Sequence, residues 1–235
     1  MKKYLKLLFK ERSTSRWIAS GLYNSPFLFI FSFFRSLILT KKLTGRFYPI
    51  LVRVNAGQKF RIRKGRNVTT MLRGVLTVNS WNGSNLPASL SLGEGCKFIL
   101  EGDFIIGPNV HVSLSPSAIL TIKGTRISSG SGVTCDAKIM VEKQLTIGSD
   151  CILAWDCFLT DSDWHAIGGT VRTEPVTIGD NVWISHGVSI LKGSSIGSGS
   201  IVGARSVVNS RFEHKNALIA GNPARVCRQG VRWER

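Results

Sequence analysis

With 235 residues and 43% hydrophobic content, the chain can bury one substantial core and is too apolar to be disordered. Its net charge of +17 raises the question of nucleic acid, but residues 1–66 hold 16 Lys or Arg against Glu11 alone. Residues 67–235 hold 15 basic and 13 acidic residues, so the body is close to neutral and offers no polyanion-binding stripe.

The first 45 residues read as a basic helical segment. Met1–Lys10 (MKKYLKLLFK) alternates basic and apolar residues, and it lacks the long apolar core and small-residue cleavage site of a signal peptide. Pro26–Leu39 (PFLFIFSFFRSLIL) is strongly apolar but falls short of the roughly 20 residues that span a bilayer, and Arg35 interrupts it. The expectation is two short helices, at least one amphipathic, with Lys41, Lys42 and Arg46 on the flank. Their apolar face has two candidate partners: an anionic membrane surface, or the rest of the protein and its neighbouring subunit.

From Ile178 an aliphatic residue recurs every six positions, at Ile184, Ile190, Ile196, Val202 and Val208. The fourth residue after each is small: Val182, Val188, Ser194, Ser200 and Ser206. Earlier stretches repeat the pattern at Ile147 with Cys151, Leu153 with Cys157, Ile127 with Ser131, Val133 with Ala137, Ile106 with Val110 and Leu92 with Cys96. Period six fits neither an α-helix nor a hairpin. It fits a prism in which each hexapeptide forms one flat side, the aliphatic residue fills the axis and the small residue turns the corner. The expected class is an all-β solenoid, a parallel β-helix over residues 46–228 with clear repeats from about 90, preceded by the helical segment 1–45 and followed by a tail, 229–235. The five cysteines form no CxxC or Cys/His pattern. No metal is expected, and an odd number without a leader suits reduced thiols in the cytosol.

The stretch Val176–Val226 contains IGDNVWI, a run of IG and VG coils, and AGNPARV. It resembles the C-terminal half of hexapeptide-repeat acyltransferases, more closely the bacterial polysaccharide and sugar O-acetyltransferases. The resemblance covers roughly residues 90–228. It implies a left-handed coil, a homotrimer with sites between subunits, and transfer of an acetyl group from acetyl-CoA to a saccharide hydroxyl. The same donor and base would serve N-acetylation of an amino sugar nucleotide. A zinc-dependent carbonic anhydrase would need three converging histidines, for which His111, His165 and His186 are not spaced, and a non-catalytic scaffold is the remaining class.

Between Ile147 and Ile178 the interval is 31 residues, against 18 for the coil from Ile178 to Ile196. The surplus is a loop over residues 161–175, DSDWHAIGGTVRTEP, and loops pushed out of a regular scaffold carry function. Similar enzymes keep their catalytic histidine on such a loop, which here is His165. Neutral imidazole can take a hydroxyl proton as the oxygen attacks a thioester. Asp163 is the candidate to orient it or hold the acceptor, with Asp161 as substitute. The resemblance places the pantetheine arm of CoA beside Trp183, on the backbone amides of Ser185 and Ala204. Arg205, Arg211 and Arg225 are candidates for its phosphates. On the acceptor side, Trp155 and Trp164 could stack on a sugar ring. Asp136 and Asp156, 20 residues apart, fall in register on adjacent coils once a two-residue slip near Leu145–Ile147 is allowed. A lipid-linked glycan as acceptor would place the enzyme in the cytoplasm, peripherally on the inner face of the membrane.

Overall fold

The computed structural model describes residues 12–80, 86–126, 130–166, 168–170 and 172–234. Met1–Lys10 and Ile127, both used in the sequence reading, lie outside them. Two helices, α1 (Arg12–Asn24) and α2 (Pro26–Thr44), precede a solenoid of short strands. Pro26 opens α2 with its φ already helical, and Gly45, at φ 79°, closes it with its amide on the Lys41 carbonyl.

The strands form three sheets, one for each side of a prism. Side A begins with Val52–Val54, side B with Phe60–Lys64 and side C with Thr69–Leu72, and every later coil revisits the sides in that order. Side A carries nine strands and the others seven each. All neighbours pair in parallel except the last two strands of side A, where Ala224–Arg228 folds back antiparallel on Leu218–Gly221. The protein is a left-handed parallel β-helix.

Residues that share a place in the repeat stack on one another. Trp183 pairs with Ile201 and Thr177 with Ser195, a full coil of 18 residues. Every aliphatic residue from Ile178 to Val208 in the six-residue column is at most 2% exposed. Burying each such side chain contributes about 1.5–3 kcal/mol, so the axial column does the work of a globular core. The small residues Cys151, Cys157, Val182, Val188, Ser194, Ser200 and Ser206 are buried at the corners. The chain turns there through left-handed residues: at the corner between sides A and B these are Asn109, Asp136, Asp156, Gly187 and Arg205. Asn, Asp and Gly tolerate that conformation, so the turn chemistry is written one residue before each small position.

The helix α2 lies against the first strand of each side and closes the N-terminal end of the prism. Leu39 and Leu43 plug the core. Strand Val52–Val54 would otherwise present an open edge, and hydroxyls of α2 satisfy it. Thr40 Oγ1 accepts the Val52 amide at 3.0 Å and Ser36 Oγ the Val54 amide at 2.9 Å. Arg35 donates to the Gln58 and Phe60 carbonyls at 3.3 and 3.1 Å, and Thr70 Oγ1 donates to the Leu43 carbonyl at 2.6 Å. The expectation that an apolar face of this helix packs inward holds only in part. The inward face pairs the hydroxyls of Ser32, Ser36 and Thr40 with the hydrocarbon of Phe29, Leu39 and Leu43, because an open strand edge needs hydrogen-bond partners as well as apolar cover.

Candidate active site

The loop that follows Phe158–Thr160 leaves the solenoid at the corner between sides B and C and returns at Val176–Ile178. It is a small hairpin with a locked base. Ser162 and Thr173 form an antiparallel bridge, Asp163 N donates to the Arg172 carbonyl and Glu174 N to the Asp161 carbonyl, both at 3.0 Å. Beneath it Glu142 accepts hydrogen bonds from Ser162 Oγ and Thr173 Oγ1 and an ion pair from Arg172. Sequence reasoning missed Glu142; its position before the two-residue slip was the available signal.

Asp161, the proposed substitute for Asp163, points into the protein. Its side chain is fully buried, and its two oxygens accept the amides of Glu142, Lys143 and Gln144 at 2.6–2.7 Å. A carboxylate is the acceptor-only group able to gather three convergent N–H donors, so Asp161 fastens the loop to the preceding coil. Asp163 forms an ion pair with Lys192 of the next coil rather than with the neighbouring imidazole. Trp164 turns back on the loop: its amide donates to Ser162 Oγ at 3.0 Å and its indole Nε1 to Thr160 Oγ1 at 3.2 Å. That leaves the indole half-buried and tied down rather than free to stack. Trp164 has φ 63°, an uncommon and strained conformation for an aromatic residue. His165 follows it directly and is exposed, with no hydrogen-bond partner among the described residues.

The remaining candidates gather elsewhere. Gly132 pairs with Ile152 and Lys138 with Phe158, which sets Asp136 and Asp156 one coil apart at the A/B corner, in the register expected. Asp136 accepts from Asn109 Nδ2 at 2.9 Å, which relieves part of the like-charge stacking. Trp155, 49% exposed, stacks on His186 of the next coil with ring centroids 5.4 Å apart and planes 15° apart. Ser185 does not offer an amide, because its N–H donates to the Val202 carbonyl at 3.0 Å in the coil ladder. The equivalent amides of Thr134, Ala154 and Gly203 are spent the same way. One residue further on, the amides of Trp155, His186 and Ala204 have no hydrogen-bond partner among the described residues, and they line one corner. Among the described residues the unpaired amides at this corner thus include those of His186, one residue past Ser185, and of Ala204.

Arg205 lies at this same corner, its Cγ 3.2 Å from where a Cβ on Gly187 would stand. Trp183 is on side A and packs against Trp233 of the tail, whose Nε1 donates to the Asn181 carbonyl at 3.1 Å. Arg225 is exposed on the last strand of side A, whereas Arg211 is on side C and belongs to neither group. Asp180, within IGDNVWI, staples coils: it accepts from the Ser149 amide at 2.8 Å. Partial burial raises its pKa, but that bond and Lys123 outweigh burial and hold it below the usual carboxylate value.

Burial pushes the Cys151 thiol up to about 12 and Cys157 up to about 11, and burial with the Asp136 carboxylate pushes Cys135 up to about 11. These thiols stay protonated at neutral pH and are poor nucleophiles. His111 is spent between Ser89 Oγ and Asn109 Oδ1, at 2.7 and 2.9 Å. Among the described residues no three His, Cys, Asp or Glu side chains converge as a metal site.

Residues 175–210 match the family model of the bacterial transferase hexapeptide (six repeats). An uncharacterized 24.8 kDa protein in the cps region of Klebsiella pneumoniae is 28% identical over 184 residues, which cover 75% of this chain and 79% of that one. Among solved structures, the polysialic acid O-acetyltransferase OatWY superimposes with a TM-score of 0.56 at 24% identity, covering 76% of this chain and 90% of that chain. The protein is of the hexapeptide-repeat, left-handed β-helix class.

Proposed function

We propose that the protein is an acyltransferase that moves an acetyl group from acetyl-CoA to a saccharide hydroxyl, with His165 as general base. The observation that carries this reading is the setting of His165: an exposed, unpaired imidazole on a loop whose base Asp161 and Glu142 lock, held behind a strained Trp164. Strain kept at one residue beside a titratable side chain is a mark of function rather than of packing. The O-acetyltransferase activity of the structural neighbour accords with it.

In the reaction the imidazole accepts the proton of the acceptor hydroxyl as its oxygen attacks the thioester carbonyl. The tetrahedral oxyanion is met by backbone amides, for which the unpaired N–H groups of His186 and Ala204 are candidates. Collapse breaks the C–S bond, and the imidazolium returns the proton to the departing thiolate. No acyl-enzyme is required, and the raised thiols of the corner cysteines fit that economy.

His165 projects at the B/C corner, whereas Trp155, His186, Ala204 and Arg205 line the A/B corner of the same chain. One chain does not bring them together, which supports a homotrimer with each site shared between two copies. Trp155, Asp156 and Asp136 would then face the acceptor, and Arg205 the CoA phosphates, with Trp183 and Arg225 further along side A.

The test is thiol release from acetyl-CoA with a panel of saccharides and amino sugar nucleotides. The His165→Ala variant should lose about 10²–10⁴-fold in kcat while keeping its affinity for CoA. Unchanged turnover in that variant overturns the base assignment, and turnover with amines alone replaces O- by N-acetylation. Failure of CoA to raise the melting temperature returns the protein to a scaffold role.

A further inference from the structure

Turned away from the solenoid, α2 exposes Phe27, Leu28, Ile30, Phe31, Phe34 and Ile38. The spacing makes one unbroken stripe along the helix, and Phe27 and Phe31 are 80% and 75% exposed. Leu22 and Tyr23 of α1 are exposed beside it. The inner face mixes the hydroxyls of Ser32, Ser36 and Thr40 with the side chains of Phe29, Leu39 and Leu43, so Phe27, Phe31 and Phe34 form a second apolar face that points out. A patch of this kind on a protein surface marks a contact with something apolar.

We propose that this face docks the protein on an anionic lipid bilayer, with α2 lying in the plane of the surface. The charge around the stripe selects the occupant. Residues 1–66 carry 16 Lys or Arg against one acid, and of these Arg16, Lys41, Lys42, Arg46, Arg61 and Arg63 are exposed. Two copies meeting through the same face would bring two such cationic ends together, which like-charge repulsion opposes. The body, with 15 basic and 13 acidic residues over 67–235, carries no net negative charge to draw that end into a head-to-tail contact. Anionic headgroups supply it, at about 1 kcal/mol per Lys or Arg near the surface, while the rings enter the acyl boundary. Among the described residues no helix is long and apolar enough to cross a membrane, and α2 is in any case fixed along its inner face to the first coil.

The experiment is co-sedimentation of the full chain with phosphatidylglycerol–phosphatidylcholine vesicles, with pure phosphatidylcholine alongside, over a range of salt. Wild type should pellet with the anionic vesicles only and detach as salt rises. Phe31→Ser with Phe34→Ser should weaken partition by about tenfold or more, and Lys41→Gln with Lys42→Gln should weaken it and flatten the salt dependence. Both side-chain pairs lie outside the packed core, so melting temperatures should match wild type; were the phenylalanine pair to misfold, the lysine pair carries the test. Absence of anionic binding in wild type, or wild-type binding in the well-folded variants, overturns the proposal. So does a fall in sedimentation coefficient on replacing the phenylalanines, which would make the face a contact between copies. None of these readouts depends on turnover, so docking and catalysis stand or fall separately.

Discussion

At Asp161 a buried carboxylate takes three backbone amides, and the loop bearing His165 hangs from it. Removing it leaves those donors without an acceptor. Hydrogen bonds to a charged group contribute about 1.5–3 kcal/mol, so Asp161→Ala should lower stability by about 3 kcal/mol. Urea denaturation checks this, and a change below about 0.5 kcal/mol, the scale of an ordinary surface substitution, would show that the loop has another anchor. The sequence pointed to the loop and its histidine because a break in period six is visible without coordinates. It did not separate the roles of Asp161 and Asp163. Both are acids at a turn, and only burial shows that one gathers amides while the other meets Lys192. Ser185 shows the same limit: a one-residue phase in the ladder decides whether an amide is spent or free, and composition does not record it.

Among the elements, α2 departs most from its sequence pattern. Hydropathy located the helix and its flanking lysines, but it left open what each face of the helix meets. Period and polarity do not reveal that the surface underneath is an unpaired strand edge. Replacing Ser36 and Thr40 by alanine and valine would keep the volume roughly constant and strand the amides of Val52 and Val54. Each stranded donor costs about 1–3 kcal/mol, so the double variant should melt well below wild type, with hydrogen exchange accelerating first in the opening coil. Equal protection of that coil in both proteins would show that the hydroxyls are incidental. The coils were legible from about residue 90, where the aliphatic column and the small corner residues follow from one repeat, whereas the coil that opens at Val52–Val54 was not announced by the period. The left-handed corner residues are mostly Asn, Asp and Gly, with Ser117 and Arg205 breaking the rule.

For the molecule as a whole, the two candidate half-sites lie on different corners of one prism. A site shared between copies predicts complementation. His165→Ala chains and chains altered at Trp155 and Arg205, each inactive alone, should recover part of the activity when the two are co-folded. Wild-type sites then arise wherever an intact B/C corner meets an intact A/B corner. Mixtures that stay as inactive as their parents would show that each chain carries a whole site. Nothing in one chain's period announces this division. A repeat specifies its own coil, whereas the meeting of two corners depends on how the outer faces fit.

The closing of both ends has a consequence for how this protein behaves in a crowded cell. A stack of parallel coils is in principle endless, because each coil offers the next the same row of amides and carbonyls. Here, on side A, the amides of the first strand at Val52 and Val54 are taken by side-chain hydroxyls of α2, and the last parallel strand is covered by an antiparallel partner. Growth by addition of further molecules, coil upon coil, is thereby hindered at the start, where α2 packs over the first strand of each side, and along side A at the finish. The length of the solenoid is set by its terminators, and loss of the helical one would expose a seed for filament assembly.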